Sequence, residues 1–198
     1  MKLILASQSP RRKEILESVG LKFDIMPVDA DESLPEGIEC ADAVTMLARR
    51  KAKALADAHP ELSDSVILAA DTLVECFGEI LGKPADKEDA RRMLTMLCGC
   101  GSAVHTGICI GYKGRFATAV ETAYVTFDDM SPEEIEDYIS TDEPYDKAGG
   151  YAVQGRAALY ICGVTGDWYS VVGLPIHAVK TLLEEEFGIR VKDIDSQL

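Results

Sequence analysis

The sequence predicts an α/β protein with a mixed, twisted sheet and flanking helices. Apolar runs of strand length alternate with segments in which apolar residues recur at helical spacing, a pattern typical of α/β folds. Strand-like runs at 103–112 and 116–127 flank Lys113-Gly114, which indicates a β-hairpin and therefore an antiparallel pair. We expect the sheet to be mixed rather than purely parallel.

The chain begins with a buried strand, a polar loop and a helix. The apolar residues of 2–6 predict the strand, and the helix over 9–18 begins with Ser9 as N-cap and Pro10 in its first position. A second strand at 22–26 follows, and a loop rich in Asp, Glu and Pro leads to the next helix.

The later elements are predicted from the same periodicities, together with caps and turn residues. Ser131-Pro132-Glu133-Glu134 is a capping box with proline at the first helical position, and Gly155-Arg156 indicates another hairpin. The predicted elements are helices 41–57, 86–97, 131–140 and 175–187, strand 65–70, a small strand or hairpin at 73–82, strands 103–112 and 116–127, and strands near 150–154 and 157–163.

Composition and charge limit the classes of function. The 198 residues with 47% hydrophobic content predict one domain over residues 1–198, in one body or in two lobes that share a core. No apolar run reaches the ~18–20 residues that span a bilayer, and no signal peptide is evident, so we expect a cytoplasmic protein without a membrane partner. The net charge of −14 disfavours a nucleic-acid polymer as partner but permits a small phosphate ligand. The six cysteines are expected to be free thiols, buried or half-buried.

Three cations stand in the first turn of the first helix, where the helix dipole disfavours each by roughly 0.3–1 kcal/mol. They are Arg11, Arg12 and Lys13. An anion on the helix N–H groups and the guanidinium groups would relieve this conflict, which favours a phosphate site in the loop from Ser7 to Ser9. The alternative is a solvated basic turn.

A carboxylate and a lysine follow the most apolar strand of the chain. Residues 66–70 predict a strand buried on both faces that ends at Asp71, and α/β sheets bind ligands at the carboxyl ends of their strands. Asp71 either binds a metal or takes a proton from water, or it caps a turn. Lys83, in a turn with glycine and proline, offers a cation a dozen residues later.

Three further side chains complete the candidate set. Lys51 lies seven residues after Val44, on the apolar stripe of its helix, so it either extends to solvent or reaches an internal anion. Glu32 belongs to an acidic loop that supplies a ligand for a hard metal or is simply solvated. Gln154, at a predicted strand end, can form the paired hydrogen bonds that recognise a nucleobase edge. Cations and carboxylates without a covalent nucleophile are typical of metal-assisted phosphoryl chemistry.

Six short motifs are spread over nearly the whole chain. They are Leu5-Ala6-Ser7-Gln8-Ser9-Pro10-Arg11-Arg12, Ala70-Asp71-Thr72, Leu81-Gly82-Lys83-Pro84, Asp146-Lys147-Ala148-Gly149, Gln154-Gly155 and Val172-Gly173-Leu174-Pro175. Together they resemble the Maf family of nucleoside triphosphate pyrophosphatases. The resemblance implies a fold shared with inosine triphosphate pyrophosphatases, two lobes around a central cleft, and often a homodimer. It also implies hydrolysis between the α and β phosphates with a divalent metal, Mg2+ or Mn2+.

The resemblance also implies roles for individual residues. Asp71 matches the proton acceptor of the family, and the combination of Arg12, Thr72 and Gln154 is similar to the branch that acts on dTTP and UTP. We therefore expect a pyrophosphatase for dTTP, UTP and modified uridine triphosphates; the alternative is a nucleotide-binding regulator of septum formation with little turnover. The metal ligands would be Glu32 and Asp71. The residues expected to bind substrate or set specificity are Ser7, Ser9, Arg12, Lys51, Thr72, Lys83 and Gln154.

Overall fold

The fold is a mixed α/β arrangement in the computed structural model, which describes residues 1–194. The strands are β1 (Leu3–Leu5), β2 (Asp24–Ile25), β3 (Val66–Cys76), β4 (Glu79–Leu81), β5 (Gly101–Tyr112), β6 (Arg115–Phe127) and β7 (Ile161–Thr165). The helices are α1 (Pro10–Ser18), α2 (Cys40–Ala58), α3 (Lys87–Leu97), α4 (Pro132–Ile139), α5 (Trp168–Val172) and α6 (Ile176–Phe187). Short 3-10 turns cover Pro60–Leu62, Glu143–Asp146, Ala148–Gly150, Arg156–Leu159 and Val191–Asp193.

The described strands form one seven-stranded sheet in the order β2-β1-β3-β5-β6-β7, with β4 paired to β3. Strand β1 pairs in parallel with β2 and β3, whereas β4 and β7 are antiparallel to their partners. Lys113 and Gly114 have φ angles of 50° and 73°, as a two-residue type I′ turn between β5 and β6 requires. The prediction of a mixed, twisted sheet with flanking helices is confirmed.

The chain divides into two units. The first consists of Met1–Asp71, Thr106–Glu121 and the chain from Gly173 onwards, and the second of Thr72–His105 and Thr122–Val172. Strands β3, β5 and β6 each contribute residues to both. The cleft that the sequence leads us to expect, and the single domain over 1–198, stay predictions.

The first unit has a core of small and branched side chains between α2 and the strands. Its buried members are Ile4, Ala6, Ala48, Ala52, Leu55, Ile67, Ala69 and Cys109. Helix α2 approaches β5 so closely at Gly107 that a Cβ there would lie 2.4 Å from the carbonyl carbon and oxygen of Val44. Only glycine permits this approach of two backbones.

We predict that Gly107→Ala destabilises the protein by about 2 kcal/mol, because backbone rather than a flexible side chain must move to admit the methyl group. For a chain of this size that loss lowers the Tm by about 4–8 °C. Gly101→Ala on the same strand is the control, since nothing lies within 4 Å of a Cβ at Gly101. Equal melting temperatures for the two variants would contradict the close approach.

The second unit packs α3 and α4 against its strands around larger side chains. Phe127 and Tyr151 meet edge to face with their ring centroids 4.9 Å apart, so Tyr151 is a core residue. The predicted capping box begins α4: Glu134 N–H donates to Ser131 Oγ (3.3 Å), and Ser131 N–H donates to the Glu134 carboxylate (2.8 Å). The sequence therefore predicted the start of α4 from its capping chemistry.

The predicted hairpin at 150–154 and 157–163 is wrong. The segment instead forms the 3-10 turns Ala148–Gly150 and Arg156–Leu159, and the strand lies further on, at Ile161–Thr165. Gly149 and Gly150 have φ angles of 70° and 72°, which a strand does not permit. The short helix α5 was not predicted either.

Strand β3 joins two segments that were predicted separately, because it continues from Val66 through Asp71 and Thr72 to Cys76, and its end forms with β4 the small hairpin predicted at 73–82. Its first residues pair with β1 and its last with β4. Asp71 therefore lies within a strand instead of at its end, and the interpretation of Asp71 as a turn cap is wrong.

The six cysteines are free thiols, as expected. Cys162 is exposed, which corrects the expectation that all would be at least half-buried. Within residues 1–194, no helix combines the length and the apolar character needed to cross a bilayer.

Candidate active site

Lys51 joins two carboxylates in the first unit. Helix α2 carries Lys51 on the face that also buries Val44 and Leu47, which directs the side chain inward. Its Nζ lies 2.7 Å from Glu32 Oε1 and in still closer contact with Asp71 Oδ2. The side chains of Lys51 and Asp71 are only 16% and 14% exposed, against 59% for Glu32. Lys51 therefore reaches an internal anion rather than solvent, which decides between the two alternatives.

Arg12 connects the phosphate loop to a distant part of the chain. Its Nε donates to the carbonyl oxygen of Gly173 (2.8 Å), and its Nη1 donates to Ser7 Oγ (3.2 Å). Ser7 Oγ also accepts the backbone N–H of Ser9 (3.1 Å). Ser9 is the N-cap residue of α1 and Pro10 its first residue, as predicted, although the Ser9 side chain makes no capping hydrogen bond. The loop is thus organised around the buried Ser7 hydroxyl.

The two cations and the two carboxylates act on one another. Burial lowers the pKa of Arg12, the negative charges of Asp71 and Glu32 oppose that shift, and the neighbouring Arg11 adds to it. Arg12 is therefore close enough to both carboxylates to interact with them electrostatically. Arg12, Glu32, Lys51 and Asp71, which we call the charged cluster, carry two positive and two negative formal charges.

The carboxylates of the charged cluster suit a divalent cation. Oxygens of Glu32 and Asp71 both contact the single ammonium group of Lys51, so the pair already shares one cation. Carboxylate oxygens are the ligands that Mg2+ prefers, and Mn2+ accepts them equally. The donor set therefore fits the ions that the sequence leads us to expect.

In the second unit, Lys83 follows β4 in a loop that glycines support. Gly149 N–H donates to the carbonyl of Gly82 (2.9 Å), and a Cβ at Gly150 would lie 3.1 Å from Pro84 Cγ. The glycine pair is thus packed under the loop that presents the exposed Lys83. The motifs Leu81–Pro84 and Asp146–Gly149, which are far apart in the sequence, therefore form one local structure.

Gln154 lies in a turn and not at a strand end. Gly155 N–H donates to the carbonyl of Ala152 (3.0 Å), which closes a turn with Val153 and Gln154 at its centre. Val153 is buried and Gln154 is exposed. Thr72 follows Asp71 on β3 and is half-buried.

The predicted residues divide between the units. The first unit brings together Ser7, Ser9, Arg12, Glu32, Lys51 and Asp71, and the second contains Thr72, Lys83 and Gln154.

Sequence reasoning missed two supporting residues. Gly173, which accepts a hydrogen bond from Arg12, has a φ of 118°. The sequence indicated Gly173 only as a member of the Val172–Pro175 motif, without any sign of its contact with Arg12. Glu143 holds the turn that follows Gln154, and it gave no signal because a single glutamate in an acidic chain is unremarkable.

A family profile described as "Maf-like protein" matches residues 2–186. The chain belongs to the Maf family. It is 45% identical over 192 residues to the dTTP/UTP pyrophosphatase of Moorella thermoacetica, with 96% of this chain and 97% of that protein covered. It is 48% identical over 174 residues to the dTTP/UTP pyrophosphatase of Geobacillus sp., with 88% and 92% covered.

A solved structure supports the fold of this Maf-family chain. The Staphylococcus aureus Ham1 protein superposes with a TM-score of 0.50 at 14% identity, covering 94% of this chain and all of that one. At that identity the likeness shows the fold alone, and it agrees with the mixed α/β architecture predicted from the sequence.

Proposed function

We propose that this Maf-family protein is a nucleoside triphosphate pyrophosphatase that hydrolyses dTTP, UTP and modified uridine triphosphates to the monophosphate and pyrophosphate. The observation that carries the proposal is the charged cluster beside the phosphate loop of α1. The names of relatives that are 45% and 48% identical over nearly their full length support the choice of substrate.

The phosphate groups would be held by Arg12, Lys51 and the Ser7–Ser9 loop. At an effective dielectric near 20, one charge pair separated by about 4 Å contributes about 4 kcal/mol before desolvation. Lys83 would add a further cation. We assign base selection to Thr72 and Gln154, as the family resemblance implies.

Asp71 would accept the proton of the attacking water. It is half-buried and already oriented by Lys51, so a proton acceptor is fixed in place before substrate binds. Attack on the α phosphorus in line with the leaving pyrophosphate then gives the nucleoside monophosphate.

A divalent cation is part of the proposal because the charged cluster has no net formal charge. A triphosphate would therefore meet little net attraction from these four residues alone. Glu32 and Asp71 would hold Mg2+ or Mn2+, which when bound neutralises phosphate charge. Their side chains differ in exposure, 59% against 14%, so Glu32 would be the ligand nearer to solvent.

The test is pyrophosphate release from a panel of nucleoside triphosphates, with Mg2+ and Mn2+ varied. We expect turnover of dTTP and UTP well above that of ATP, GTP and CTP. Saturable dTTP binding without product at any metal concentration would instead favour the regulator of septum formation. Turnover that is equal for all five nucleotides would refute the proposed substrate class.

We further propose a cytoplasmic homodimer, without a nucleic-acid or membrane partner. The family resemblance supports the dimer, and the net charge of −14 supports the lack of a polyanionic partner. Sedimentation equilibrium would test the oligomeric state.

We predict that Arg12→Lys lowers kcat/KM by about tenfold to a hundredfold. Lysine keeps the charge but replaces a planar donor group by a point charge, so it cannot bond Ser7 and Gly173 together while binding phosphate. Arg190→Lys is the matched control, since the exposed Arg190 makes two hydrogen bonds to the Asp193 carboxylate (3.1 and 3.3 Å), away from the charged cluster. Equal losses in the two variants would contradict the assigned role of Arg12.

A further inference from the structure

The carboxylate of Glu143 accepts three hydrogen bonds from two separate segments of the second unit. Its Oε1 accepts from Tyr138 Oη (2.9 Å) and from Ala157 N–H (3.3 Å), and its Oε2 accepts from Arg156 N–H (2.9 Å). Both backbone amides lie at the beginning of the 3-10 turn Arg156–Leu159, where such groups lack partners within the turn. The carboxylate thus caps this turn from outside.

Two residues of the second unit anchor Glu143. Tyr138 lies near the end of α4 and is buried. Burial, and then the negative charge of Glu143, raise the pKa of Tyr138, so its hydroxyl keeps its proton and acts as the donor. On the other side, Lys147 Nζ donates to the backbone carbonyl of Glu143 (2.8 Å).

Gly155 lies against the carboxylate of Glu143. A Cβ there would lie 2.2 Å from Glu143 Oε1, although the φ of Gly155 is −107°, which any residue adopts. A side chain at this position would therefore displace the Glu143 carboxylate from its hydrogen bonds, whereas the φ of Gly155 itself sets no such restriction. Gly155 is also the last residue of the turn that contains Gln154.

We infer that Glu143 is a specificity-positioning residue, which fixes the Gln154 turn by binding the backbone directly after it. Both sides of Gln154 are then held, by the buried Val153 before it and by the Gly155–Ala157 backbone after it. A fixed backbone restricts the distances and directions from which the Gln154 amide can meet a base edge. This restriction would favour the donor and acceptor pattern of uracil or thymine over that of cytosine, and a mobile turn would relax it. The inference rests on the proposed function and on the role of Gln154 in it.

The test compares kcat/KM for UTP with that for CTP in Glu143→Gln. Whichever way the glutamine amide points, its NH2 replaces one carboxylate oxygen, so at least one backbone N–H faces a donor. We expect the UTP to CTP ratio to fall at least tenfold, with a smaller change in kcat for UTP. A role in stability alone would lower the Tm and leave this ratio unchanged.

Two further variants keep the test decisive if Glu143→Gln folds poorly. Gly155→Ala keeps every hydrogen-bonding group but forces the Glu143 carboxylate and the turn apart, so it should lower the ratio in the same direction. Glu136→Gln changes another carboxylate of the second unit, which pairs with Arg91 and Lys87 and not with the turn, so it should keep the wild-type ratio.

The outcomes separate this inference from the proposed function. Wild-type protein that does not prefer UTP overturns the proposed function. Wild-type preference that survives in both Glu143→Gln and Gly155→Ala overturns only the positioning role, and so does an equal fall of the ratio in Glu136→Gln.

Discussion

Asp71→Asn should lower kcat for dTTP by about 10²–10⁴-fold, the usual contribution of a positioned general base. Asparagine has nearly the same size, so β3 and its packing are kept. Loss of one carboxylate ligand for the metal should weaken substrate binding, whereas Lys51, which keeps its contact with Glu32, gains freedom to bind phosphate. The two effects oppose each other, so substrate affinity should change much less than kcat. Single-turnover pyrophosphate release gives the rate, and titration with a non-hydrolysable α,β-imido nucleotide gives the affinity.

Asp64→Asn is the matched control for this measurement. Asp64 precedes the same strand, its side chain is 86% exposed, and its nearest cation is Lys113 at 3.8 Å. We expect its kcat to stay within about twofold of wild type, as for other exposed surface changes. Normal turnover by Asp71→Asn would show that another group accepts the proton.

Lys51→Met should lower both stability and activity. Methionine keeps an apolar stem on α2, but Asp71 is left half-buried without its principal cation, which should cost about 2 kcal/mol of unfolding free energy and about 4–8 °C in Tm. Loss of a phosphate contact should lower kcat/KM by roughly a hundredfold. The double variant with Asp71→Asn should recover much of the lost stability, because the half-buried side chain at position 71 then carries no charge, and Glu32, which also loses Lys51, is 59% exposed to solvent.

Lys53→Met, two residues further along α2, is the control that separates the loss of the Lys51 ion pair from a general loss of surface charge. Lys53 and its partner Asp57 are 60% and 64% exposed, and such pairs contribute about 0.3–0.5 kcal/mol. A Lys51→Met protein as stable as Lys53→Met would mean that the buried ion pair contributes nothing to the fold.

The elements that were predicted well have local causes. Helix α4 begins where its capping box lies, and the β5–β6 hairpin turns at a residue pair that adopts positive φ. The inward direction of Lys51 follows from its place on an apolar stripe, so one of the four members of the charged cluster could be inferred from periodicity. These signals lie within a few residues of the structures they specify.

The errors have distant causes. The segment around Gly155 does not form the predicted hairpin, because the backbone N–H groups of Arg156 and Ala157 bind the carboxylate of Glu143, thirteen residues upstream of Arg156. The partner of Arg12 at Gly173 is 161 residues away, and no spacing pattern in the sequence connects the two. Hydrogen bonds between a side chain and backbone that is distant in sequence override local turn preferences. A single sequence does not reveal these distant pairs.

The interleaving of the chain between its two units restricts how this protein can be dissected. The first unit is assembled from three stretches of chain and the second from two, so no single cut separates them: at least one of the two fragments always contains parts of both units. A cut after Asp71 would also sever β3 in mid-strand. Expression of one half by deletion should therefore give insoluble material, and circular permutation at the exposed Lys113-Gly114 turn should be tolerated far better.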